Sequence, residues 1–516
     1  MSQPTDETPA LTRRDFLRGG AAAGAPVQPP VQPPAQPSPK RLQPRRLARR
    51  IAGVNDAAQP TWLLDPTDEW ENWSLRLARR VTLGLTPEEA QRARTLGYAR
   101  YLEYQLDYTS IDDAAVDAFV ATKWPALAQT GAALSTQATG TLQTQLQEST
   151  VYRAAFSKRQ LYQRMVEFWS DHFNISFSKV GYLKILDDRE VIRKHALGTF
   201  PDLLKASAHS AAMLVYLDQQ VSRRQAPNQN YARELMELHT LGVDGGYTQQ
   251  DVAELSRILT GWTVAGRGDF AFAPSQHDFG AKTLLGTAFP AVNAMNQTNP
   301  QGVQEGEAAL DLLVNHPSTA KFIARKMLRW LLWYDPSPEM IDAVAAEYTR
   351  TKGDIKAMVR TSLGFQFLQQ APAKFKRPFH WLVSAIRASG AVLNAAGGAN
   401  RLLSSLGHAQ FVWDTPDGYP DVMEYWAGNL LPRWNAATTI ANSNNAAEMQ
   451  VDVTALQQLG TADAVAAALG KRVFGGEMGD RTRAELVAYL KPTPTNAVRI
   501  REALALALAS SSFQWY

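Results

Sequence analysis

From Val151 onward, apolar residues recur at three- and four-residue spacing. Leu161, Met165, Phe168 and Trp169 fall on one face, which predicts a helix running into Trp169-Ser170-Asp171-His172-Phe173-Asn174. Asp188 to Leu197 predicts another helix, closed by Gly198 and Pro201, and Asp202 to Leu217 a third. A helix over Asn230–Leu241 is followed by Asp244-Gly245-Gly246-Tyr247, where the glycines permit a tight turn. Thr248 and Asp251 then have the spacing of a capping box. Val252, Leu255, Leu259 and Trp262 mark the buried face of the helix that follows, so the two form a helical hairpin. Thr86-Pro87-Glu88-Glu89 and Asn315-His316-Pro317-Ser318-Thr319 each open a helix, with proline in the first turn. Further helices are predicted over Ile341–Tyr348, Ile355–Phe367 and Trp381–Leu393.

Two stretches break the helical period. After Trp262, the residues Phe270, Phe272, Pro274, His277 and Asp278 among glycines predict a loop or short hairpin. Trp413 to Trp434 holds Pro416, Gly418, Pro420, Gly428 and Pro432 and predicts an aromatic loop that lines a pocket or plugs an edge. The expectation is a mainly α fold: a large multi-helix body with a few short strands or hairpins in its loops. We divide it into a disordered tail over 1–60, a helical core domain over 61–371, and a C-terminal helical region over 372–516 packed on that core.

The tail is set apart by composition. Residues 26–44 carry eight prolines, as in an extended linker, and Arg41–Arg50 is arginine-rich. Residues 1–50 hold nine Lys/Arg against three Asp/Glu, so the formal charge of +4 sits in the tail and the body is near neutral. A nucleic-acid partner for the body is disfavoured. Arg13-Arg14-Asp15-Phe16-Leu17 has the form of a twin-arginine export signal, which predicts a periplasmic or extracellular address. Only Ala21–Ala25 stands where a longer apolar stretch is expected, and without export the protein stays cytoplasmic. No apolar run is long enough for a transmembrane helix.

The chain has no cysteine, which rules out disulfides, thiolate metal sites and a cysteine nucleophile. Dinucleotide, phosphate-loop and serine-elbow motifs do not occur. Any metal would be divalent and held by oxygen and nitrogen ligands. At 3.6 residues per turn, Asn230, Arg233, Glu234 and Glu237 share one stripe, and His239 points to the far side. On the functional reading, Glu234 and Glu237 join His172, or His277 and Asp278 on the glycine-rich loop, as metal ligands or acid and base. On the plainer reading, Arg233 pairs with Glu237 and His239 is a core histidine. Specific catalytic residues do not follow from the residues alone.

The run Asn230 to Gly242 with Gly245-Gly246-Tyr247-Thr248 resembles domain-of-unknown-function family 1800. Trp169-x-x-His172-Phe173, Leu259-Thr260-Gly261-Trp262, His277-Asp278 and His316-Pro317-x-Thr319-Ala320 are similar to it as well. The resemblance covers roughly residues 75–515. It implies a bacterial, usually exported protein of unknown activity, often encoded beside a sulfatase-like companion. Two functions are therefore expected as alternatives. One is a metal-assisted hydrolase or oxidoreductase. The other is a non-enzymatic cell-surface or periplasmic binding or assembly protein that acts with the companion, a glycan or the cell wall.

Overall fold

The computed structural model describes residues 69–293 and 299–516. The twin-arginine motif, the proline tract and the arginine-rich run lie outside the described residues. The described residues form one compact unit, predominantly helical, with three two-stranded antiparallel pairs among them.

The first helices are α1 (Trp73–Val81) and α2 (Pro87–Leu106). Thr86 caps α2 through the Glu89 amide, with Pro87 in the first turn, as the sequence predicts. Two long helices follow: α3 (Thr139–Phe156) and α4 (Gln160–His172). The continuous helix expected beyond Gly198 is split into α5 (Phe200–Ala208) and α6 (Ala211–Tyr216), with His209 and Ser210 between them.

The central helix is composite. It begins as α7 (Gln229–Glu234) and widens to a π-turn over Leu235–Thr240, where the Leu241 amide donates to the Met236 carbonyl at 2.8 Å. A second π-turn spans Asp188–Arg193. Helix α8 (Gln249–Ile258) starts with the predicted capping box of Thr248 and Asp251. The segment after Trp262 is indeed a pair of hairpins, β1 (Trp262–Ala265) with β2 (Asp269–Phe272), and β3 (Lys282–Leu284) with β4 (Thr287–Phe289).

Helices α9 (Asn299–Val314), α10 (Pro317–Leu331), α11 (Pro338–Thr351) and α12 (Ile355–Ser362) complete the first half. His316 caps α10, its ring accepting from the Ser318 amide. The apolar interior of this half draws on Leu75 through Ala371. A second cluster is centred on α13 (Pro378–Ser389), α14 (Leu430–Ala441), α15 (Ala462–Phe474), α16 (Asp480–Leu490) and α17 (Ala497–Ala509). It also recruits Val151, Ala154 and Ala155 of α3, so the two halves interlock. The last residues fold back: Lys374 and Tyr516 exchange amide–carbonyl bonds at 2.8 and 2.9 Å around a Phe375–Trp515 bridge.

Candidate functional site

A group of buried charge lies where α4, α10, the 372–377 segment and the 411–422 loop meet. Helical spacing puts Arg164, Glu167 and Asp171 on one stripe of α4. Arg377 sits between the two carboxylates, with Nη2 2.5 Å from Glu167 Oε1 and Nη1 2.7 Å from Asp171 Oδ2. Its guanidinium lies 4.5 Å from the centroid of the Trp330 ring. Lys374 reaches both oxygens of Asp421 at 2.8 and 2.7 Å and donates to the Arg329 carbonyl. On the other side, Arg164 donates to His380 Nδ1 at 2.9 Å and to the Tyr516 hydroxyl at 3.3 Å. Arg164 and Lys374 also flank Trp330, so three cations surround one indole.

Burial and charge act together here. Burial pushes the Glu167 and Asp171 carboxyls up, since two carboxylates share one guanidinium and Arg377 offsets only part of the cost. The same two carboxylates hold Arg377 protonated against its burial. Burial lowers the Lys326 amine to about 8, although Asp171 opposes the shift. A lysine and carboxyls whose acid ranges are drawn towards each other can act as general acid and base.

This centre anchors the 411–422 loop. Asn174 donates its amide to the carbonyls of Trp413 and Thr415 at 3.0 and 2.8 Å, and Ser176 donates to Asp414 at 3.1 Å. Gly418, at φ +74°, lies directly on the Asp171 backbone. The motif residues Trp169, Asp171, His172 and Asn174 thus have distinct internal partners. Trp169 donates to the Ala196 carbonyl, Asp171 binds Arg377, His172 meets His239, and Asn174 holds the loop.

The five residues expected as metal ligands lie on α4, on the composite central helix and on the loop between β2 and β3. His172 is buried, with Nε2 3.1 Å from the His239 carbonyl. Glu234 is buried within α7. Glu237 is half-buried and accepts from Tyr247 at 3.5 Å, and burial, then the Glu237 charge, pushes that phenol up to about 12. His277 Nε2 lies 2.9 Å from Glu305, which also binds Lys282 at 2.8 Å, and its Nδ1 lies 2.6 Å from the Thr260 carbonyl. Asp278 pairs with Arg257 at 2.7 Å. Among the described residues, no three His, Asp or Glu side chains stand together in a way that could hold a metal ion.

The central stripe also departs from the regular-helix count. Arg233 donates to Gln249 at 2.8 Å rather than pairing with Glu237. His239 is a buried histidine, as the plainer reading has it, and within the π-turn it enters the aromatic interior 5.0 Å from Phe173 and 6.1 Å from His172, measured between ring centroids.

Lys374, Arg377 and Lys326 were not singled out from the sequence. The signal was there in Lys374-Phe375-Lys376-Arg377-Pro378-Phe379-His380-Trp381, where cations alternate with aromatics in a way unlike a solvated basic run.

Neither a curated protein nor a solved structure matches the chain. Residues 76–515 match the family described as "Protein of unknown function (DUF1800)", and the chain belongs to that family.

Proposed function

We propose that this protein is a non-enzymatic binding and assembly protein, and that residues 413–434 form its docking ledge. The observation that carries the reading is exposure on an anchored frame. Tyr425, Leu431 and Trp434 are 52%, 63% and 44% exposed, while the segment that bears them is tied down through Lys374–Asp421 and Asn174. Leu431 and Trp434 lie three residues apart on α14 and share its outer face. Tryptophan and tyrosine held rigid at a surface are what interface centres use, because little side-chain freedom is lost on binding. Exposed Asp414, Asp417 and Glu424 add an acidic rim, which suits a partner with a basic one. The partner we propose is the sulfatase-like companion, met in the periplasm or at the cell surface after export through the Arg13-Arg14 leader.

The test is co-expression of the full chain with the companion, followed by co-purification. The two are expected to elute together, and the complex to be lost in the Leu431→Ser/Trp434→Ser double variant. Both positions are exposed, so stability should stay within about 0.5 kcal/mol per substitution. Separate elution at about 10 μM, or retention of the unaltered chain by a soluble glycan alone, overturns the protein-partner reading.

The alternative, a hydrolase or oxidoreductase, draws support from Lys326 beside Asp171 rather than from a ligand set. A turnover activity abolished in Lys326→Met with the fold retained would favour it.

A further inference from the structure

A small cavity of about 20 Å³ lies between α3, α4 and the π-turn Asp188–Arg193. Glu167, Asp188 and Arg193 line it, and each has one polar atom without a partner: Glu167 Oε2, Asp188 Oδ1 and Arg193 Nη2. The remaining polar atoms of these groups are engaged. Glu167 Oε1 binds Arg377, Asp188 Oδ2 accepts from Arg193 Nε at 2.7 Å, and Arg193 Nη1 donates to Gln163 at 3.2 Å. Glu167 is 8% exposed and Asp188 3%, so bulk solvent does not satisfy them. Three buried polar atoms left unpaired on residues that line one small cavity are costly.

The chemistry of the wall selects the occupant. Two carboxylate oxygens need donors, which excludes an anion. A guanidinium N–H needs an acceptor, which excludes a metal ion or an ammonium group. What remains is a small neutral group that both donates and accepts. The space exceeds the roughly 10–15 Å³ that one water needs and is too small for an organic ligand. We infer that the cavity binds one ordered water that bridges Glu167, Asp188 and Arg193 and links the Arg377 ion cluster to the π-turn. The water gives two hydrogens to the carboxylates and takes one from the guanidinium, within its own capacity of two and two.

A high-resolution crystal structure of the full chain tests this directly. One water is expected within about 3.2 Å of all three atoms. A dry cavity, or an ion in its place, overturns the inference. The second readout is a double-mutant cycle on the folding equilibrium with Glu167→Gln and Asp188→Asn. No hydrogen bond joins these two side chains among the described residues; their direct charge repulsion makes the pair unfavourable whereas a shared water makes it favourable, so a favourable sign of the coupling reports the bridge. Favourable coupling of about threefold or more in the equilibrium constant is expected, and effects that simply multiply, or an unfavourable sign, overturn the link. If a variant does not fold, the crystal structure of the unaltered chain still decides.

Discussion

His172 Nε2 lies 3.1 Å from the carbonyl oxygen of His239, so histidines from two separate sequence motifs meet inside the protein. A ring nitrogen facing a carbonyl must carry the proton, and the bond fixes the His172 tautomer. Both rings sit among aromatics, including Phe173 and Phe200. Burial drives the His172 ring well below its ordinary range and lowers His239 to about 3, with nearby Lys326 adding to both shifts.

Acid should therefore destabilise the fold. Both rings stay neutral in the folded state, whereas in the unfolded chain they take up protons below about 6.5. The stability from this pair is fully present above that pH and is lost as pH falls towards about 3, where His239 itself titrates. The His239 ring contributes a slope approaching about 1.4 kcal/mol per pH unit within that window, and His172 adds to it in the same direction. Urea midpoints at pH 7, 6 and 5 measure it, and His239→Gln should flatten the dependence. An unchanged slope in that variant would assign the acid sensitivity elsewhere.

Arg377 is the counter-ion for two carboxylates, of which Glu167 is almost fully enclosed. Arg377→Met leaves both without it and is expected to cost about 3–5 kcal/mol. Arg377→Lys should fall between the two, because a single ammonium cannot reproduce the forked geometry. Chemical denaturation of the three proteins ranks them.

Gly418 combines a left-handed backbone with a close approach to Asp171, and an added Cβ would strike the Asp171 carbonyl oxygen. Gly418→Ala should cost more than about 1 kcal/mol and loosen the loop from α4. Limited proteolysis should then cut between 411 and 422 sooner than in the unaltered chain.

Glu305 neutralises Lys282, whose side chain is fully enclosed, and holds His277 beside it. Glu305→Ala is expected to cost about 3–5 kcal/mol through the stranded lysine. Since protein groups already occupy His277 and Asp278, a chelator should leave the melting temperature of the unaltered chain where it is. A stoichiometric divalent ion in the purified protein, lost in His277→Ala, would refute this.

Local chemistry was legible without coordinates. The Thr248–Asp251 capping box, the Thr86-Pro87 start and the His316-Pro317 start each depend on residues within three positions of one another. The buried faces of α4 and α8 followed from apolar spacing, and the hairpins from the density of glycine and aromatics after Trp262. The 413–434 segment reads as loop-rich, yet Met423–Trp426 and Leu430–Ala441 are helical, with Pro432 tolerated in the first turn of the latter. The helix count over Asn230–Leu241 assumed bonds between residues four apart. Packing of His239 against His172 and Phe173 accompanies a five-residue step instead, and no residue in the run announces that choice.

The sequence by itself determined the helical body, its capping, its lack of cysteine chemistry and its family, because these depend on neighbours along the chain or on composition. The tertiary structure alone decided which charges meet. Arg377 finds Glu167 from 210 residues away, and Lys374 finds Asp421 from 47. A salt bridge carries no periodicity, and any of the chain's carboxylates could have served either cation. Only the crossing of α4, α10 and the 411–422 loop removes water from these particular groups, and with the water gone they must pair.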